Sequence, residues 1–110
     1  MSVLEEVLLE EYDRSLKIKK SIEIEQKSFP KGSIQKKIIH DVECYYLVYR
    51  DGEKIRSKYI NKQEVDEYRE LIERRRDNEK HLRELRKSIK MIEKALGKET
   101  IYEHTAEGIY

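Results

Sequence analysis

The residues in this chain whose types invite chemistry are three histidines, one cysteine and a set of tyrosines mixed with lysines and arginines. His40, His81 and His104 show no HExxH or comparable ligand spacing, so zinc ligation is not expected. Cys44 is alone, which excludes an intrachain disulfide and a cysteine-based metal site. His40 and Cys44 are the one candidate base–nucleophile pair, but Cys44 falls among apolar neighbours and reads as a small buried hydrophobe. Gly32, Gly52, Gly97 and Gly108 are isolated, so no phosphate-cradling loop is present. Carboxylates alternate with Lys and Arg, where i,i+4 pairing is their expected role. Catalysis, a metal and a cofactor are therefore not expected.

The tyrosines and cations between residues 45 and 58 form a more specific pattern. Tyr45, Leu47 and Tyr49 alternate along one run, and Lys54, Arg56 and Lys58 alternate along the next. If the two runs pair as strands, the six side chains share one face as an aromatic and cationic comb. Such a comb can stack on bases and grip phosphates, or serve as a protein hot spot rich in Tyr and Arg. Alternatively, the cation stems merely shield the exposed rings. Arg74, Arg75 and Arg76 are a second basic patch, although a helix sends consecutive residues in different directions.

The strands that must carry the comb lie in residues 33–60. Asp51-Gly52 between two Tyr-, Val- and Ile-rich runs predicts a two-residue type I′ hairpin turn. That loop sets Arg50 against Glu53, Tyr49 against Lys54, Val48 against Ile55, Leu47 against Arg56 and Tyr46 against Ser57. Tyr45 then faces Lys58, and Cys44 faces Tyr59. Cys44, Tyr46, Val48, Ile55, Ser57 and Tyr59 read as the core face. Residues 33–40, with Ile34, Ile38 and Ile39, supply a third strand through a tight loop near Asp41-Val42. A three-stranded meander is marginal alone and needs helical cover.

Helices are predicted on both sides. From Val3 to Ser28, the positions Leu4, Val7, Leu8, Tyr12, Ser15, Ile18, Ile22 and Phe29, widened by Leu16, follow a helical stripe. Ser2 is the expected N-cap with Glu5 as capping-box partner, and Pro30 and Gly32 end the helix. Ile22-Glu23-Ile24 is locally strand-like. From Lys62 to Leu96, capped by Asn61 and stopped by Gly97, the positions Tyr68, Leu71, Leu82, Leu85, Ile89, Ile92 and Leu96 trace a coiled-coil seam. Arg75 and Asn78 interrupt it. The two helices are expected to run antiparallel, with Leu8 near Ile92 and Ile18 near Leu82. Glu25 or Glu11 is expected to neutralise a seam arginine, unless those polar positions are solvated. The fold class is α+β: a long antiparallel helical pair flanking a three-stranded antiparallel meander. Residues 1–97 read as one domain. Residues 98–110 read as a tail that is mobile by default, with Ile101, Tyr102, Ile109 and Tyr110 available to dock.

Charged residues make up 43% of the 110 residues and hydrophobic ones 37%, which suits long solvated helices. The net charge of +1 conceals a basic region, since residues 31–62 carry eight basic and four acidic side chains. That excess is modest for a dedicated nucleic-acid binder. No apolar run approaches the roughly 20 residues that span a bilayer, and the acidic start is unlike a signal peptide. A soluble, cytoplasmic protein without a membrane partner is expected.

Phe29-Pro-Lys-Gly-Ser-Ile34, Tyr45-Tyr-Leu-Val-Tyr-Arg-Asp-Gly52, Ser57-Lys-Tyr-Ile60, Ile72-Glu-Arg-Arg75 and Lys94-Ala-Leu-Gly97 occur in this order. Together they resemble a group of small bacterial proteins of unknown function, with an LPKGSI turn and a YYL-YR-G-K-SKYI hairpin between helices. His40 and Tyr45-Tyr46-Leu47 also echo a wider family with a cysteine-rich stretch before a His-Gly-Pro-Tyr-Tyr-Tyr-Leu strand, found on mobile elements and prophages. The cysteines of that family are missing here. The resemblance implies an accessory binding role. The expectation is a non-enzymatic regulator or inhibitor that occupies a protein partner such as a toxin or defence nuclease. The alternative is a nucleic-acid-binding accessory protein that uses the comb. A heptad seam also leaves a homodimer open.

Overall fold

Ser2 opens the first helix by accepting hydrogen bonds that the helix start cannot satisfy itself. Its Oγ accepts from Glu5 N–H at 3.2 Å, and its carbonyl accepts from Glu6 N–H at 3.1 Å. The computed structural model describes residues 2–104. In chain order these form α1 (Val3–Gln26), β1 (Ser33–Ile39), β2 (Val42–Asp51), β3 (Lys54–Ile60), a single 3₁₀ turn (Lys62–Glu64), α2 (Val65–Leu96) and α3 (Lys98–His104). The fold is α+β, with helices flanking a three-stranded antiparallel sheet. Ile22-Glu23-Ile24 is helical, since three residues of strand pattern do not interrupt an established helix. Asn61 makes no side-chain cap; its backbone carbonyl accepts from Glu64 N–H at 2.9 Å, and the 3₁₀ turn leads into α2.

The chain forms two compact units. Among the described residues, one joins residues 2–25 with residues 79–104, and the other is the continuous segment Gln26–Asn78.

In the helical unit, α1 and the second half of α2 run antiparallel. Tyr12 packs with Ile89 and Ile92, and Ile22 packs with Leu82 and Leu85, so rising numbers on α1 meet falling numbers on α2. Leu8, Leu16, Leu96 and Ile101 close around the first cluster and Ile18 around the second. The predicted stripe fails at its start. Leu4 and Val7 are exposed and Leu9 is buried instead. Leu8 and Leu96, the last residue of α2, both pack against the cluster of Tyr12, Ile89 and Ile92, so α2 ends at about the level where the first turns of α1 begin. Gly97 takes a positive φ of 84° and breaks α2 as expected. The described part of the tail is α3. Ile101 docks, Tyr102 is exposed, and His104 Nε2 lies 2.6 Å from Asp13 Oδ1. Ile109 and Tyr110 lie outside the described residues. The buried Tyr12 hydroxyl donates to Glu93 Oε2 at 3.4 Å. Burial, followed by the charge of Glu93 and that bond, raises the Tyr12 pKa.

In the sheet unit the strand order is β1-β2-β3. His40 and Asp41 both have positive φ, 51° and 62°, which makes the β1–β2 loop type I′, between the paired residues Ile39 and Val42. The second loop departs from expectation. Asp51 pairs with Lys54, so Gly52 and Glu53 are the loop residues. Gly52 has φ 65° and Glu53 is not among the positive-φ residues, which gives a type II′ turn with glycine first. The whole β2–β3 register therefore moves by two residues. Tyr45 faces Ile60, Tyr46 faces Tyr59, Leu47 faces Lys58 and Tyr49 faces Arg56.

Candidate functional site: the open face of the sheet

A two-residue shift preserves which side chains share a face, yet it changes what each face contains. In the observed register Leu47 has Ile34 on one side, and its neighbour Tyr45 has Ile60. Leu47 and Ile60 join Val65 and Ile72 in a buried cluster, with Ile34, Tyr45, Tyr49 and Tyr68 packed against it. Ile60, 1% exposed, is the most deeply buried large side chain. The start of α2 therefore covers the face predicted to be open. The expected register left Ile60 beyond the paired strands, and without Ile60 that face looked polar.

The comb of Tyr45, Leu47, Tyr49, Lys54, Arg56 and Lys58 must be corrected accordingly. Leu47 is core, and Tyr45 and Tyr49 are half-buried against it. Lys54, Arg56 and Lys58 stay exposed on β3. Their chemistry turns inward on the same unit. Arg56 Nε lies 2.7 Å from Asp51 Oδ2, and Lys58 Nζ donates to the Tyr68 hydroxyl at 3.4 Å. Arg69 sits 5.8 Å from the Tyr45 ring centroid. Lys36 Nζ lies 2.9 Å from Glu43, which also accepts from the Tyr45 hydroxyl at 3.2 Å. Those two hydrogen bonds and the lysine charge hold the Glu43 pKa down, and the bond to Glu43 holds Lys36 up.

The opposite face, read from the sequence as core, is the open one. Ile39, Val42, Cys44, Tyr46, Val48, Ile55 and Tyr59 share it, and none of them is buried. Cys44 is half-buried there rather than enclosed. Val42 is 61% exposed, Ile55 68% and Tyr59 57%, and together they make one apolar patch. At the centre the Tyr46 and Tyr59 rings meet edge to face, with centroids 5.8 Å apart at 73°. Lys37 Nζ sits 5.2 Å from the Tyr46 ring centroid, on the same face. Tyr46 lies on the central strand β2 and Tyr59 opposite it on the edge strand β3, so cross-strand pairing holds the two rings on regular backbone.

Arg74, Arg75 and Arg76 do not act together. Arg74 sits 5.5 Å from the Phe29 ring centroid, and Arg76 lines a concavity with Ser33, Ile34 and Asp77. Arg75 turns inward. Its Nη1 donates to the carbonyls of Gln26 at 2.8 Å and Phe29 at 3.1 Å, where α1 ends. The Gln26 side chain returns a bond to the Arg75 carbonyl at 3.1 Å and accepts one from Asn78 at 3.2 Å. The expected carboxylate partner for a seam arginine is not Glu11, which pairs with Arg14 at 3.1 Å. Backbone carbonyls hold Arg75 because the last turn of α1 carries no basic residue of its own. Sequence reasoning missed this role; its only signal was a cation interrupting the seam.

Among the described residues, no group of three His, Cys, Asp or Glu is placed to hold a metal, and no helix is long and apolar enough to cross a membrane. A family model described as a domain of unknown function, DUF6788, matches residues 4–70, more than half of the chain, and the chain belongs to that family. No curated protein and no solved structure matches it.

Proposed function

We propose that this DUF6788 protein is a non-enzymatic binding protein that occupies a protein partner through the open face of its sheet. The observation that carries the reading is the exposure of Ile39, Val42, Ile55 and Tyr59 around the Tyr46–Tyr59 pair. Aromatic anchors ringed by aliphatic side chains are what protein hot spots are built from. Lys37 and Arg50 share the face and supply a polar rim. The half-buried Tyr45 and Tyr49 have little ring left for stacking on bases, which favours a protein contact at the sheet over a nucleic-acid one.

The partner is a cytoplasmic effector such as a toxin or a defence nuclease, and the protein is its mobile-element regulator or inhibitor. The finer likeness to the LPKGSI and YYL-YR-G-K-SKYI proteins supports this, as does the echo of the mobile-element family in His40 and Tyr45-Tyr46-Leu47. The test is affinity capture from the native host with wild-type protein and with Tyr46→Ala/Tyr59→Ala. The expected outcome is one stoichiometric protein captured by the wild type and lost with the variant, whose circular dichroism is unchanged. Equal capture by both proteins would overturn the assignment of this face.

A further inference from the structure

The outer surface of α2 in the helical unit carries a strip of cations flanked by the exposed Glu79 and Glu84. Lys80, Arg83, Lys87, Lys90 and Lys94 follow one another at intervals of three and four residues, and all five are exposed. At about 100° per residue they fall within a sector of about 80°, centred roughly 160° from the line of Leu82, Leu85, Ile89 and Ile92. Those four leucines and isoleucines are buried toward α1, so the cations point away from it. No other residue of α2 from Glu79 onward falls in that sector. The acidic residues of the same stretch, Glu79, Glu84 and Glu93, lie outside it, and Glu93 accepts from the Tyr12 hydroxyl.

The stripe differs from a fully paired helix face in having its cations contiguous and outside the ion pairs of the described residues. Surface helices normally alternate sign at i,i+4, which stabilises them, whereas like charges at that spacing oppose the helix. Here each of the five has a like-charged neighbour at three or four residues, and all but Lys94 also have Glu79, Glu84 or Glu93 at that spacing. No ion pair among the described residues engages any of them. The partnering helix increases the polarity of the unit: α1 carries seven acidic and four basic side chains, while α2 from Glu79 onward carries three acidic and six basic. At the far end Lys90, Lys94 and Lys98 line a concavity of about 600 Å³ across the break at Gly97, together with Glu93, Ile101 and Tyr102.

We infer that this stripe binds the phosphate backbone of a nucleic-acid duplex. Its five cations extend over about 21 Å of helix axis, alongside which a duplex presents about a dozen phosphates. The stripe itself carries no aromatic ring and no amide, so it has nothing with which to read bases. Contact with phosphates positions a protein without specifying sequence. The surface is built from different residues than the sheet face and does not depend on that reading.

The test is fluorescence anisotropy of the full chain with a labelled random-sequence 30-base-pair DNA duplex, titrated across salt, with poly-glutamate as a competing polyanion. The expected result is sequence-independent binding whose log affinity falls with log salt with a slope of about −4.5. Lys87→Glu with Lys90→Glu should weaken binding at least tenfold at low salt and reduce the slope by about 1.8. Lys17→Glu with Lys20→Glu on α1 should change neither, and Tyr59→Ala should leave duplex binding intact while losing the captured protein. Helicity by circular dichroism checks that each variant folds. Absence of binding at 50 mM salt, or equal binding by the Lys87/Lys90 variant, would overturn the inference. So would poly-glutamate binding at least as tight as duplex binding, which would identify an acidic protein surface as the ligand.

Discussion

At Gly32 the backbone takes φ 106°, and an added Cβ would lie 2.1 Å from the carbonyl oxygen of Val48. Both the conformation and the close approach require glycine. Gly32→Ala should therefore cost about 2–4 kcal/mol, combining a strained backbone with displacement of β2. Urea denaturation would measure it, and a loss below about 1 kcal/mol would mean the loop relaxes freely. Glu43 offers a second residue-level test. Its pKa is held below the ordinary carboxylate value by the hydrogen bonds from Lys36 and Tyr45 and by the lysine charge. A carboxyl depressed in the folded state contributes stability that is present above its unfolded pKa and is lost as pH falls through the folded one. The β1–β2 hairpin should thus loosen on acidification below the normal glutamate range. Carboxyl NMR titration should find the Glu43 midpoint below that of a free glutamate, and Lys36→Met should move it back up.

Among the elements, the two hairpin loops show what was legible in the sequence and what was not. Strand identity, strand order and the helices on both sides follow directly from alternation and helical spacing. The second turn does not, because Asp51-Gly52 as a type I′ pair and Gly52-Glu53 as a type II′ pair use the same glycine, one residue apart in the loop. Propensity favours the first; burying Ile60 beside Tyr45 favours the second, and burial is worth more. The open and covered faces were exchanged for that reason alone. The first turn places His40 and Asp41 at positive φ, which Asn-Gly adopts more readily. His40→Asn with Asp41→Gly should stabilise the protein by about 0.5–1 kcal/mol, seen as a rise of a few degrees in Tm. Arg75 tests the tie between the Gln26–Phe29 segment and α2 within the sheet unit. Arg75→Met removes two charge-assisted bonds, to the carbonyls of Gln26, which keeps the Phe29 N–H, and of Phe29, at about 2–3 kcal/mol. Arg75→Lys should recover only part of this, since one ammonium lacks the fork that spans Gln26 and Phe29.

For the molecule as a whole, the order of the chain carries a consequence for its synthesis. The sheet unit is one uninterrupted segment, Gln26–Asn78, while the helical unit needs both ends of the chain. Tyr12 and Ile22 leave the ribosome long before Leu82, Leu85, Ile89 and Ile92 are translated. At usual elongation rates that interval is on the order of several seconds, far longer than a small sheet takes to form. The meander should therefore acquire protease resistance on ribosome-bound chains while α1 is still cleavable, and arrested nascent chains of increasing length would show the order. Until Ile92 emerges, Leu9, Tyr12 and Ile22 remain an uncovered apolar stripe on the nascent chain, which is the kind of segment that holding chaperones bind.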